Sequence, residues 1–100
     1  MLEIKKVNKS KMKLVFTGDL SISEIGEIYD AMKGVDLEVD TYNILVNNVE
    51  MTDLSFFQVL LAFIRELKKR KKDVKLDMQL GEEFDRIYKR AGIEGELKKN

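Results

Sequence analysis

The chain contains no cysteine, no histidine and no proline in its 100 residues. Without cysteine there is no disulfide and no thiol nucleophile; without histidine there is no imidazole base. The two absences together remove the common zinc sites and every Ser-His-Asp or Cys-His arrangement. The missing proline means only that no turn is proline-fixed. Long apolar runs are absent as well. Nothing approaches the roughly 20 residues of a membrane-spanning helix. The start Met1-Leu2-Glu3-Ile4-Lys5 has no apolar signal-peptide core. The expectation is a cytoplasmic protein with no membrane insertion.

What is present suits one globular domain: 44% hydrophobic and 36% charged residues. A chain this short buries about 60–65% of its unfolded surface, enough for one modest core. Net charge is zero but unevenly placed. Residues 1–50 carry six Lys/Arg against nine Asp/Glu, and residues 51–100 carry twelve against nine. Between positions 19 and 40 seven acids face Lys33 alone; between 65 and 75 seven bases face Glu66 and Asp73. Such asymmetry orients an encounter with a partner.

The apolar pattern predicts the elements. Residues 2–7 alternate with period two and 11–17 do so less strictly, separated by Asn8-Lys9-Ser10. This reads as an antiparallel hairpin whose second strand ends at Gly18-Asp19. Ser21 and Glu24 have capping-box spacing, so a first helix is expected over 22–33, stopped by Gly34. The apolar run 42–47 predicts a central strand buried on both faces. It is followed by a polar turn and, from Asp53, a second helix over about 54–71. On a helical wheel Phe56, Phe57, Leu60, Phe63, Ile64 and Leu67 share one face, with Leu54 and Leu61 on its flank. Residues 73–78 alternate as a half-buried strand. Gly81 opens a third helix that Gly92 stops. The order is β-β-α-β-α-β-α. Strands reached through helices pair in parallel by right-handed crossovers. The expected architecture is an α/β domain over 1–93, followed by a charged tail at 94–100. It has a four-stranded, mostly parallel sheet, an antiparallel edge hairpin and three helices.

Thr17-Gly18-Asp19-Leu20, the stretch Asp53-Leu54-Ser55-Phe56-Phe57-Gln58-Val59-Leu60-Leu61-Ala62, and Arg90-Ala91-Gly92-Ile93 fall in this order after successive elements. In that context the chain resembles the STAS domain, whose best-known members are anti-sigma-factor antagonists. The resemblance runs from about residue 2 to residue 93. It implies a protein without catalytic chemistry that docks on a protein partner, an anti-sigma factor and serine kinase or another regulatory subunit. It places the docking surface at the loop before the first helix and the start of the second helix. The residues concerned are Asp19, Leu20, Asp53, Leu54, Ser55, Phe56 and Gln58. Leu54 falls on the family's phosphoacceptor position, and leucine cannot take a phosphate. Phe56 falls on a glycine. A constitutive role is therefore expected rather than a switch, with Ser55 as the remaining candidate phosphoacceptor. The alternatives are a sensor of a small ligand, nucleotide or lipid, and an accessory subunit of a lipid-transport or chemotaxis complex.

Simpler readings stand beside these. Asp53 is a good helix N-cap, and Ser55 a first-turn serine that bonds locally. The side chains of Leu54, Phe56 and Leu61 form either core or an apolar contact surface, the latter including self-association. The run 68–72 invites a nucleic-acid or anionic-membrane reading, but it matches the dipole of a helix C-terminus, which is the expected role, and nucleic acid is not expected as a partner at a pI near 6.3. The Asp spacings give no EF-hand loop, so no metal is expected, and no cofactor.

Overall fold

A computed structural model describes residues 1–91, in the order β1 (Leu2–Asn8), β2 (Lys11–Leu20), α1 (Ile25–Lys33), β3 (Thr41–Thr52), α2 (Leu54–Lys69), β4 (Asp73–Met78) and α3 (Glu82–Ala91). The expected stop at Gly92, residue Ile93 and the tail 94–100 lie outside the described residues. The sheet has the order β1-β2-β3-β4. The β1–β2 pair is antiparallel, and β2–β3 and β3–β4 are parallel. Class, element order and edge hairpin are as the sequence predicts.

The order β2-β3-β4 advances in one direction without a switch point. Successive right-handed crossovers then place their helices on the same side of the sheet. Burial follows. Met12, Leu14 and Phe16 of β2 and Tyr42, Ile44 and Val46 of β3 are buried with Ile28 and Met32 of α1 and Phe56, Phe57, Leu60, Ile64 and Leu67 of α2. The alternate residues of β3, Thr41, Asn43, Leu45 and Asn47, are only half-buried. The expectation of a central strand buried on both faces is thus corrected. Among the described residues the core lies on the opposite face, and the two asparagines mark this one. Leu45 lies beside Val15 of β2 there.

Three boundaries also differ from the sequence reading. Strand β2 does not end at Gly18-Asp19 but runs to Leu20, and β3 continues through the expected turn to Thr52. Both extensions are irregular: the β2–β3 register shifts on either side of Gly18. Gly18 has φ +78°, with open space where a Cβ would stand, so its backbone conformation is what calls for glycine. Asn48 takes φ 49°, which asparagine tolerates better than most residues. The third difference is α1. It begins at Ile25, and Glu24 caps it without a side-chain bond, because the hydroxyl of Ser21 is bonded to Asp19 instead.

The core is built around aromatic edges. Phe56 meets Phe16 and Phe57 in T-shaped contacts with centroids 5.3 and 5.2 Å apart, and Tyr88 of α3 reaches Phe57 at 5.9 Å. Helix α2 closes with Lys72 N–H on the Leu67 carbonyl and Lys71 N–H on that of Lys68, with Lys71 left-handed at φ 62°. This is a Schellman closure with lysine at the position glycine favours.

Phe56 is 1% exposed and Leu54 45%. Phe56→Ala is therefore expected to cost about 3–5 kcal/mol. Leu54→Ala should stay within about 0.5 kcal/mol of wild type. Chemical denaturation of the two variants measures both.

Candidate functional site

The C-terminal ends of β2 and β3 lie side by side, and each runs into the tripeptide Asp-Leu-Ser: Asp19-Leu20-Ser21 and Asp53-Leu54-Ser55. The two make the same local bonds. Asp19 Oδ1 accepts the N–H of Ser21 at 3.0 Å and its hydroxyl at 2.5 Å. Asp53 Oδ1 accepts the N–H of Ser55 at 3.0 Å and also its hydroxyl. Such Asx turns are a short-range preference of aspartate two residues before an N–H. At Asp53 the turn is also the N-cap of α2, as predicted.

The second oxygen of Asp53 joins the two loops. Asp53 Oδ2 accepts the N–H of Ile22 at 2.9 Å, a bond between residues 31 apart in sequence. Below it, the buried Thr52 hydroxyl donates to the Leu20 carbonyl at 2.9 Å. On the Asp19 side the Ser23 hydroxyl donates to Oδ2 at 3.2 Å. The loops are thus held by hydrogen bonds to two neighbouring carboxylates.

Both carboxyls sit below the usual carboxylate range. The Ser21 hydroxyl is the main cause at Asp19, opposed by burial and by the charge of Asp53. At Asp53 burial pushes the value up, but the bonds from Ser55, Ile22 and Phe56 outweigh it.

The predicted site residues divide. Asp19, Asp53 and Ser55 come together in the loop pair. Leu54 is exposed beside them. Gln58 is exposed one turn along α2. Leu20 and Phe56 are corrections: at 0% and 1% exposure they belong to the core and offer no side chain to a partner. Leu61 packs against the core and leaves Leu54 on its own flank. In place of Leu20 and Phe56 the structure exposes Ile22 and Met51, at 68% and 53%. Ile22 adjoins Leu54 through the bond to Asp53. The repeated Asp-Leu-Ser was the sequence signal for the paired loops. Nothing local tells the two leucines apart.

Ser55 and Gln58 also line one end of an apolar groove of about 590 Å³ between α1 and α2. Ile25, Tyr29 and Met32 form one wall, and Val59 and Phe63 the other. Among the described residues no three acidic side chains are grouped to hold a metal ion, and no helix is long and apolar enough to cross a membrane.

Asp53→Asn keeps an N-cap oxygen but removes the charge. A carboxyl with a lowered folded value stabilises the fold above its unfolded value of about 3.9. That contribution is lost as pH falls through the folded value. Stability of wild type should therefore decline more steeply than that of Asp53→Asn between about pH 5 and pH 3, as read by urea denaturation at each pH.

No family model and no curated protein sequence matches the chain. Solved structures do. The anti-sigma factor antagonist SpoIIAA in its unphosphorylated form superposes with a TM-score of 0.61 at 16% identity, over 92% of this chain and 99% of its own. The Bacillus cell fate determinant SpoIIAA in its phosphorylated form gives 0.66 at 15% identity, over 95% and 86%. Mglu in its native form gives 0.65 at 10% identity, over 77% of this chain but only 23% of Mglu, so the chain spans about a quarter of that protein. The fold of this chain is that of the anti-sigma factor antagonist SpoIIAA, the STAS fold that its sequence motifs resemble.

Proposed function

We propose that the protein is a non-catalytic regulatory module of the cytoplasm that docks on a protein partner through the paired Asp-Leu-Ser loops. An anti-sigma factor with serine-kinase character, or another regulatory subunit, is the partner class. The likeness to SpoIIAA, named an anti-sigma factor antagonist, supports this reading. The observation that carries it is the Asp53 carboxylate, which bonds Ile22 and Ser55 at once and so fixes the exposed side chains of Ile22 and Leu54 on a rigid frame. Side chains already held in place lose little freedom on binding, which favours affinity. Apolar contact at Ile22 and Leu54 supplies attraction, and the acidic surroundings supply orientation.

Docking of this kind is constitutive. Leu54 accepts no phosphate. The Ser55 hydroxyl donates to Asp53, and a phosphate there would set two further negative charges against that carboxylate. The first experiment is affinity capture from native lysate with wild type, Leu54→Asp, Ile22→Asp and the distant control Glu3→Gln. A protein retained by wild type and control, and lost with both loop variants, is expected. Equal capture by all four chains counts against docking at this site.

A second reading, binding of a small apolar ligand, is favoured by the α1–α2 groove. Among the described residues Lys33 is the one basic residue lining it, which suits an acyl chain better than a nucleotide's phosphates. Chemical shifts followed during titration with a lysolipid should move at Tyr29, Val59 and Phe63 if the groove is occupied. Shifts unchanged at those three positions remove the reading.

A further inference from the structure

The parallel strands begin at the end of the molecule opposite the docking loops, and two basic clusters far apart in sequence stand there on either side of the start of β3. Backbone bonds tie the starts together. Asp40 and Thr41 N–H both donate to the Ser10 carbonyl, at 3.1 and 2.9 Å, and Asp73 N–H donates to the Asp40 carbonyl at 2.9 Å. The tip of the β1–β2 hairpin, the start of β3 and the start of β4 therefore form one continuous edge. The hairpin brings five lysines between positions 5 and 13. The end of α2 brings the five-residue basic run 68–72, and Lys75 follows in β4. Eleven bases stand against five acids at this end, Asp36, Glu38, Asp40, Glu66 and Asp73.

Most of these charges are uncompensated. Lys6 pairs with Asp36 at 3.6 Å and Arg70 with Glu66 at 3.1 Å. Among the described residues Lys5, Lys9, Lys11, Lys13, Lys69 and Lys71 form no ion pair. Two features cost stability. Lys5 lies directly opposite Lys13 in the β1–β2 register, and like charges so placed repel. Lys71 occupies a left-handed position, φ 62°, where glycine would be less strained. A helix C-terminus needs neither feature for its dipole, since Lys68 and Lys69 already stand in the last turn.

We propose that this basic end is a contact surface for an anionic lipid bilayer, on which the protein rests without insertion. Two observations favour a membrane over a nucleic acid. Neither basic segment contains an aromatic residue on which bases would stack. The opposite end is acidic, with Asp19, Glu24, Glu27 and Glu50 around one cavity. A plane touches only the basic pole of such a molecule, whereas a long polyanion also meets the acidic one. Val7, exposed among the hairpin lysines, adds an apolar contact suited to the headgroup region. Bound this way, the protein turns the Asp-Leu-Ser loops away from the membrane.

The test is co-sedimentation of the full chain with vesicles of phosphatidylcholine alone and with 30 mol% phosphatidylserine added, at low and high salt. Each basic residue near an anionic surface is worth roughly a fivefold gain in affinity. Binding only to the anionic vesicles, reversed by salt, is expected. The triple variant Lys5→Gln/Lys9→Gln/Lys69→Gln should lose roughly a hundredfold. Lys71→Gly separates binding from folding: it should raise the melting temperature while binding falls about fivefold. No binding to anionic vesicles, equal binding to neutral ones, or full binding by the triple variant would overturn the proposal. Binding to a 30-base-pair DNA duplex at a salt concentration where anionic vesicles are not bound would overturn it in favour of nucleic acid.

Discussion

Everything in this molecule depends on two crossovers laid in the same direction, for which the general rule is a right-handed path. Because β2, β3 and β4 advance across the sheet without reversal, α1 and α2 fall on one face. That single consequence determines on which face the described core lies, and gathers the C-terminal ends of the strands at one end of the domain. The loops that follow β2 and β3 must then be neighbours. A reversed order would have separated them by a crevice, as in doubly wound folds.

At those neighbouring ends the sequence repeats Asp-Leu-Ser, and one carboxylate couples the copies. Asp53 is helix cap, turn former and cross-link between loops at once. The reading of it as a cap and its proposed part in recognition are therefore compatible. The cap holds the frame, and the frame presents Ile22 and Leu54. A further result is that two leucines in the same tripeptide have opposite fates. Leu20 ends a strand and points into the core, whereas Leu54 begins a helix on its outer flank.

The fold also turns a charge imbalance along the sequence into a charge separation in space. Acids follow the strands and the hairpin and α2 end in bases, so parallel strands carry the two signs to opposite ends. The proposed docking loops at the acidic pole and the proposed membrane contact at the basic pole would serve one arrangement, in which the protein is held at a surface with those loops turned outward.

The sequence by itself determined the elements, their order, the parallel pairing and the edge hairpin. Period-two and period-3.6 patterns are local, and right-handed crossover leaves little choice of topology. It determined the Asp53 cap as well, since a cap is a bond between near neighbours. It did not determine which face of β3 carries the core. An apolar run looks alike whether it is covered on one side or two, although Asn43 and Asn47 hinted at the answer. Nor did it show that Ser21 turns to Asp19 rather than capping α1, because two local bonds competed for one hydroxyl. The exposure of Leu54 against Leu20 and Phe56, the bond from Ile22 to Asp53, and the placing of lysines 5 to 13 and the run 68–72 at one end were decided only by the tertiary structure. Each depends on contact between segments some 30 residues or more apart, which no local pattern records.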